Sequence, residues 1–184
     1  GQPWTGYRAA TAITGPESEV IIPADCPPDD VTFQGEIVAV IGKQGRGLSL
    51  DEAKQAIFGY TIGNDVTANT WATTDTRGWR GKNCDTFKPL GPWIETDLKV
   101  EKAVGKVRYN GKETVKWNIN DWFFSPAEVL VAITKYMTIK PGDILMMGND
   151  GVRSPYLKTG DVVEVEVGGL GTLRNRFTQS VDWH

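Results

Sequence analysis

Gln34, Glu36 and Asp65 have the side-chain types and the spacing of a small metal site built from oxygen ligands. Gln34 and Glu36 lie two residues apart in VTFQGEIVAVIG (31–42), a stretch rich in Val and Ile that predicts a buried β-strand. Because side chains at positions i and i+2 of a strand point to the same face, these two groups would project together. Asp65 follows a second apolar stretch, where a strand would end in a long loop. Carboxylate and amide oxygens suit a hard cation such as Mg²⁺ or Mn²⁺.

Lys82, in WRGKNCDTF, would add a positive charge to the same pocket. A structural explanation of these residues stays open, because a Glu in a strand often faces solvent or an ion pair and an Asp after Asn often makes a turn. Cys84 lies close by in the sequence, but the only histidine of the chain is His184, the last residue. We therefore expect Cys84 to be a passive thiol, and we expect neither a histidine-rich zinc site nor Ser-His-Asp catalysis.

The composition favours a folded chain with no electrostatic affinity for nucleic acid. The chain has 184 residues, seven Trp and a net charge of −3. No apolar run approaches the roughly 20 residues that a membrane span needs, and the first residues lack the basic and then apolar layout of a signal peptide. With two Cys we expect no disulfide framework and a reduced, cytoplasmic setting.

Two capping boxes predict two helices. The first box joins Ser49 to Glu52, and its helix would run as far as a stop at Gly59. The second begins at Ser125, with Pro at the first helical position, and its helix would cover PAEVLVAITKYM (126–137).

Strand patterns dominate the remaining sequence and predict an α+β fold, with a mixed sheet or β-roll rather than a doubly wound sheet. The stretch 67–93 shows little periodicity and predicts a long loop with a functional role. The predicted strands lie in SEVIIP (18–23), residues 31–41, YTIGNDV (60–66), residues 99–118 with a hairpin turn at Asn110-Gly111, and the two segments that follow the Gly-Asp turns of IKPGDILMMG and LKTGDVVEVEV.

Several segments together resemble the fumarylacetoacetate hydrolase superfamily over roughly residues 31–177. They are Gln34-Gly35-Glu36, GYTIGNDVTA, RGKNCDTFKPLGPW, PGDILMMG and LKTGDVVEVEVGGLGTLRN. The resemblance implies a mixed, barrel-like β-roll with a few short helices, usually a homodimer, and a divalent cation that stabilises the enolate of a 2-oxo acid or 1,3-diketone. We accordingly expect an irregular N-terminal segment over 1–30 and a single catalytic domain over 31–184.

Carried over position by position, the resemblance assigns the metal ligands. Glu36 matches the second carboxylate of the family's Glu-x-Glu motif, and Asp65 matches its distant aspartate. Lys82 matches the lysine that lies beside metal and substrate, which makes it the candidate catalytic residue. Gln34 stands where the first Glu is expected, so the site loses one negative charge and should bind Mg²⁺ (or Mn²⁺ or Ca²⁺) more weakly.

Other positions depart from the family pattern and indicate a changed substrate pocket. Asn69 stands in place of an arginine, and Asn149, followed by Asp150, stands in place of a threonine. These three residues are the candidate substrate-binding groups. The His-x-x-Glu motif of the hydrolytic members is not found in this sequence.

Two functional hypotheses follow from these observations. The first is a divalent-metal-dependent enzyme acting on a small carboxylate or diketone by decarboxylation, isomerisation, tautomerisation or C–C hydrolysis, either on its usual substrates or on an unusual one that fits the altered polar pocket. The second is a catalytically silent homologue that acts as a structural or regulatory subunit, in a hetero-oligomer with an active homologue. Neither hypothesis involves nucleic acid or a membrane.

Overall fold

Two five-stranded mixed sheets and a two-stranded ribbon form most of residues 1–149 and 154–181, the part of the chain that this computed structural model describes. The strands are β1 (Ile13–Thr14), β2 (Glu19–Ile22), β3 (Val31–Thr32), β4 (Gly35–Ile41), β5 (Ile57–Asn64), β6 (Thr67–Ala68), β7 (Lys88–Glu95), β8 (Val104–Tyr109), β9 (Lys112–Asn118), β10 (Ile144–Met146), β11 (Val162–Val167) and β12 (Gly171–Gln179). The helices are α1 (Leu50–Ala56), α2 (Asn69–Thr74), α3 (Trp79–Asn83) and α4 (Pro126–Thr134), with short 3₁₀ turns at Ala10–Ala12, Thr76–Gly78 and Val100–Lys102. The predicted α+β class with a mixed, curled sheet is confirmed.

The first sheet has the order β1-β7-β5-β4-β10 and the second the order β2-β12-β11-β8-β9, while β3 pairs with β6. Neighbouring strands are antiparallel except for β1 with β7 and β2 with β12. Residues 1–30 therefore contribute β1 and β2, and each of these strands lies at one end of its sheet in the orders given above. Whether these residues form a separate segment beside a domain over 31–184 stays a prediction.

One hydrophobic core is shared by the two sheets. Ile37 of β4 and Ile62 of β5 belong to the same buried cluster as Val165 of β11 and Leu173 and Phe177 of β12. The β4 sequence GEIVAVI is buried at every position, which agrees with its place next to the middle of its sheet.

Both predicted capping boxes are present, and both helices are shorter than predicted. The Ser49 side chain accepts a hydrogen bond from the Glu52 N–H, and Ser125 makes the same contact with Glu128. The first helix does not reach Gly59, because β5 begins at Ile57 and pairs with β4, so sheet pairing replaces helical bonding there. The helix over 126–137 ends at position 134.

The strand predicted over 31–41 is broken into β3 and β4, which pair with different partners. Between them, the Phe33 N–H donates to Ser154 Oγ at 3.0 Å, and the Gln34 N–H donates to Asn64 Oδ1 at 3.2 Å. Side chains thus replace ladder partners at this point. Gln34 therefore precedes β4 rather than lying inside a continuous strand with Glu36.

The loop predicted over 67–93 is also wrong, since this stretch contains β6, α2, α3 and β7. The two helices are too short to show a period in the sequence. Trp71 anchors α2 in the core, and α3 approaches α2 so closely that a Cβ on Gly81 would lie 2.3 Å from the Ala72 nitrogen.

The hairpin turn at Asn110-Gly111 is confirmed. Both residues have positive φ, 51° and 78°, as a tight turn between right-twisted strands requires, and the turn joins β8 to β9.

Among the described residues no helix combines the length and the apolar composition that crossing a bilayer requires.

Candidate active site

Antiparallel pairing of β4 with β5 brings Gln34, Glu36 and Asp65 to one place in the sheet. Glu36 is paired with Gly63, and the Asp65 N–H donates to the Gln34 carbonyl oxygen at 2.8 Å. Both carboxylates are buried, with Glu36 3% exposed and Asp65 4% exposed. Two buried acidic side chains this close need compensating charges or a bound cation. Their role as metal ligands stays a prediction.

Asp65 is surrounded by cationic side chains. Lys82 Nζ contacts its Oδ2, and Lys88 Nζ lies 2.9 Å from its Oδ1. Arg8, from the N-terminal segment, lies 3.5 Å from Oδ2. Burial alone would raise the pKa of Asp65, but the positive charges of Lys88, Lys82 and Arg8 outweigh it and lower the pKa to about 2. Asp65 is therefore an ionised carboxylate.

Glu36 has the opposite electrostatic environment. Burial, and then the negative charge of Asp65, raise the pKa of Glu36 to about 7, although the Gly148 N–H donates to its Oε2 at 2.9 Å. The two neighbouring carboxyl groups thus differ widely in acidity, a separation that is common in sites with acid–base or metal chemistry.

Lys82 joins this cluster, as the sequence predicts. Its position on the short helix α3 allows Nζ to contact Asp65 and to donate to Thr67 Oγ1 at 2.8 Å. One ammonium group is thereby fixed beside the carboxylates by two partners.

Sequence reasoning missed two residues of this cluster, Arg8 and Lys88, and Lys88 is the more deeply buried of the two. It is 1% exposed on β7, and Nζ donates to the carbonyl oxygens of Val66 and Phe87, each at 2.8 Å. Burial lowers the pKa of Lys88 to about 8, although Asp65 acts in the opposite direction. A lysine inside the otherwise apolar run FKPLGPW was the available signal, because lysine is rarely buried without an acidic partner.

The side chain of Asn149 is hydrogen-bonded to Gln34, whereas the side chain of Asn69 is hydrogen-bonded next to β3. Gln34 Nε2 donates to Asn149 Oδ1 at 3.1 Å, and Asn149 Nδ2 donates to the Gly35 carbonyl oxygen at 3.0 Å. Asn69 Nδ2 donates to Thr32 Oγ1 at 3.1 Å and to the Asp30 carbonyl oxygen, next to β3. Asp150, the third predicted substrate-binding residue, lies outside the described residues. The substrate-binding roles stay predictions.

The oxygen atoms of Glu36, Asp65 and Gln34 are of the type that binds a hard divalent cation, but the set carries at most two negative charges. Asp65 Oδ1 is buried, and the Lys88 ammonium lies 2.9 Å from it, so a cation bound at this oxygen would share it with Lys88. Glu36 would supply a second carboxylate and Gln34 an amide oxygen. Within the described ranges no cluster of three His, Cys, Asp or Glu side chains is arranged to bind a metal.

An aromatic cleft of about 380 Å³ opens beside these residues. Gly148 and Asn149, which contact Glu36 and Gln34, lie in its wall. We use the name aromatic cleft for the cavity lined mainly by Trp4, Trp117, Trp122, Phe123, Phe124 and Met147.

Known proteins of one family resemble this chain in both sequence and structure. The sequence model named Fumarylacetoacetate (FAA) hydrolase C-terminal matches residues 1–178, so the match extends over the N-terminal segment. The human protein named oxaloacetate tautomerase FAHD2B, mitochondrial, is 33% identical over 180 residues, which cover 92% of this chain and 57% of that protein.

Solved structures give the same result. The 5-carboxymethyl-2-hydroxymuconate delta-isomerase of Mycobacterium smegmatis is 34% identical with a TM-score of 0.88, covering 94% of this chain and 67% of that one. The fumarylacetoacetate hydrolase of Exiguobacterium antarcticum is 30% identical with a TM-score of 0.87, covering 94% and 65%. The chain spans 61% and 60% of the first two curated relatives that it matches. By sequence and by fold, the chain belongs to the fumarylacetoacetate hydrolase family and corresponds to its C-terminal region.

Proposed function

We propose that this chain carries the active site of an enzyme that interconverts tautomers or isomers of a small 2-oxo acid or 1,3-dicarbonyl compound. The observation that carries the proposal is the buried pair of carboxyl groups, Glu36 and Asp65, beside the ammonium groups of Lys82 and Lys88. Relatives named tautomerase and isomerase support the same reaction class.

Each residue of the cluster has a distinct part in this proposal. Glu36, Asp65 and the amide oxygen of Gln34 would hold a divalent cation, which supplies Lewis-acid stabilisation of an enolate when it is bound. Lys82 would bind and orient the anionic end of the substrate, because its ammonium is fixed beside the carboxylates. Asn149 would keep the Gln34 amide in place.

Tautomerisation and isomerisation suit this cluster better than C–C hydrolysis. Both need an enolate to be stabilised and a proton to be moved, whereas hydrolysis also needs a base positioned to activate water. The described residues include no histidine, and the carboxylates are already engaged with lysines or the backbone. Mg²⁺ as the metal, the homodimer and a cytoplasmic location belong to the proposal; the human relative is named as mitochondrial.

The silent partner subunit remains the second candidate because of Lys88. Its buried ammonium already neutralises Asp65, which reduces the demand for a bound cation. Decarboxylation stays within the first candidate, since it passes through the same enolate.

Calorimetric titration of the full chain with Mn²⁺ and Mg²⁺, with and without oxalate as an enolate mimic, tests the proposal. We expect millimolar or tighter binding that oxalate strengthens, and faster equilibration of enol and keto acetylpyruvate, followed by ultraviolet absorbance. Asp65→Asn and the near-isosteric Glu36→Gln should abolish metal binding, while Asp97→Asn, a change of an exposed carboxylate, should leave it intact. Undetectable metal binding even with oxalate, together with no acceleration, would favour the silent subunit.

A further inference from the structure

We propose that Arg8 and Lys82 form an anion site that holds the carboxylate of the ligand in the absence of the divalent cation, and so before the cation binds. The inference rests on the proposed function for the identity of the ligand, a small 2-oxo acid. It adds Arg8, from the N-terminal segment, to the residues that contact the substrate, and it sets the order in which ligand and cation bind.

The cluster around Asp65 holds more cationic than acidic groups. The ammonium groups of Lys82 and Lys88 and the guanidinium of Arg8 all approach this one carboxylate. Glu36 is the neighbouring acidic group, and it interacts with the same two lysines. Asp65 and Glu36 carry at most two negative charges against the three positive charges around Asp65. A partly buried site with excess positive charge attracts an anion.

Arg8 and Lys82 are the cationic groups of this cluster that a ligand can reach from solvent. Their side chains are 24% and 23% exposed, whereas the side chain of Lys88 is 1% exposed. Both groups approach the same oxygen of Asp65, Oδ2, so the guanidinium and the ammonium are neighbours. A small anion that enters the site therefore meets these two groups first.

Arg8 has a hydrogen-bond donor that the described residues leave unused. Its Nη1 donates to the Tyr7 carbonyl oxygen at 3.0 Å, while Nη2 lies 3.5 Å from Asp65 Oδ2, which is long for a hydrogen bond. Nε is buried and has no hydrogen-bond partner among the described residues. A buried N–H without an acceptor costs free energy, which a ligand oxygen at Nε would recover. The planar fork of a guanidinium matches a carboxylate in particular.

The backbone next to Arg8 is tied to the helix that carries Lys82. The N–H of Ala9 donates to Asn83 Oδ1 at 2.6 Å, and Asn83 follows Lys82 at the end of α3. This hydrogen bond sets the separation of the two chain segments from which the cationic side chains extend. Groups that are held in place before a ligand arrives lose little conformational freedom when it binds.

The positive charge at Asp65 disfavours a divalent cation that binds alone. The Lys88 ammonium lies 2.9 Å from Asp65 Oδ1, and Arg8 and Lys82 approach the other oxygen. An anion bound to Arg8 and Lys82 lowers this repulsion, since it brings negative charge to the same place. Binding of the ligand and the cation is then cooperative, and of the two the anion is the one that binds alone.

Calorimetric titration of the full chain with oxalate, in buffer freed of divalent cations by a chelating resin, tests the inference. We expect millimolar or tighter binding to the parent protein. Arg8→Gln should weaken this binding by about tenfold or more, because a charge-assisted hydrogen bond is lost. Arg8→Lys, which keeps the charge but not the fork, should restore part of the affinity. Arg46→Gln, at an exposed arginine beyond the other end of β4, should bind oxalate as the parent does.

The same variants separate ligand binding from a purely structural role of Arg8. If Arg8 only neutralises Asp65, Arg8→Gln will leave the oxalate affinity unchanged and will tighten Mn²⁺ binding in the absence of oxalate, and the inference is then wrong. Sulfate that binds as tightly as oxalate would mean that the cluster attracts anions by charge alone, which also overturns a carboxylate site.

The outcomes for the parent protein distinguish the inference from the proposed function. If oxalate binds only together with Mn²⁺, the inference is wrong and the proposed function stands. If oxalate binds neither with Mn²⁺ nor without it, both fall.

Discussion

Asp65 faces competing demands, because the same carboxylate is a candidate metal ligand and the ion-pair partner of buried cationic groups. A metal at Oδ1 would approach the ammonium of Lys88, which lies 2.9 Å from that oxygen. Like charges at such distances repel strongly in a buried site. The identity of residue 88 should therefore control metal affinity as much as residue 34 does.

Replacing Lys88 by Met should tighten Mn²⁺ binding by about tenfold or more, because the repelling charge is removed while a side chain of similar length is kept. The same change removes the ammonium donor from the carbonyl oxygens of Val66 and Phe87, of which Phe87 keeps the Val66 N–H at 3.2 Å, and should cost about 1–3 kcal/mol of unfolding free energy. Calorimetric titration and urea unfolding measure the two effects. Lys116→Met, an exposed lysine of β9, is the control, and unchanged Mn²⁺ affinity in Lys88→Met would show that Lys88 does not oppose the metal.

Gln34→Glu should also strengthen metal binding, because it restores a third formal negative charge to the ligand set. We expect a tenfold or larger gain, on the order of one to a few kcal/mol at the effective dielectric of protein sites, in the same Mn²⁺ titration. Asn118→Asp, at an exposed position outside the cluster, separates this effect from a general increase in acidity. Equal affinity in Gln34→Glu and the parent would mean that residue 34 is no ligand.

At the scale of elements, the sequence correctly predicts the helix caps and turns that depend on interactions between residues close in the chain. Ser49 with Glu52, and Asn110 with Gly111, form their cap and their turn from residues at most three positions apart, so their types reveal them. The break after β3 depends on Ser154, which lies 121 positions from Phe33, and no local pattern contains that contact.

The candidate site likewise divides into residues that local motifs identify and residues that only the tertiary fold brings there. Glu36, Asp65 and Lys82 stand on matched motifs and interact with one another, whereas the side chain of Gln34, which departs from the motif, is hydrogen-bonded to Asn149. The charges that complete the cluster come from Lys88 on an apolar strand and from Arg8 in the N-terminal segment, whose contacts depend on the tertiary fold.

The cross-strand pair of Gly105 and Trp117 gives a test at the scale of the β8–β9 hairpin. Gly105→Ala would place a methyl group 2.2 Å from the indole, so either the ring or the strand must shift. We expect a loss of about 1–3 kcal/mol in unfolding free energy, typical of overpacking, measured by urea unfolding followed by circular dichroism. Gly168→Ala, where a Cβ would meet nothing within 4 Å, should be nearly neutral. Equal stability of the two variants would contradict the packing of Trp117 over Gly105.

At the scale of the whole molecule, the N-terminal segment contacts the candidate active site, the aromatic cleft and both sheets. Trp4 lines the aromatic cleft, Arg8 contacts Asp65, and β1 and β2 each extend one of the two sheets. A segment with these contacts should unfold together with the core rather than independently.

Val20→Ala tests this cooperativity, because Val20 lies on β2, is 0% exposed and pairs in register with Phe177 of β12. Deleting two buried methyl groups should lower the unfolding free energy by about 2 kcal/mol, with little change in the urea m-value. Tryptophan fluorescence and far-ultraviolet circular dichroism should report one coincident transition in both proteins. Val181→Ala, at a position that is 93% exposed, should leave the midpoint where it is. Two separate transitions, of which Val20→Ala shifts only one, would instead mean that the first 30 residues form a unit of their own and that Arg8 can leave Asp65 without unfolding the sheets.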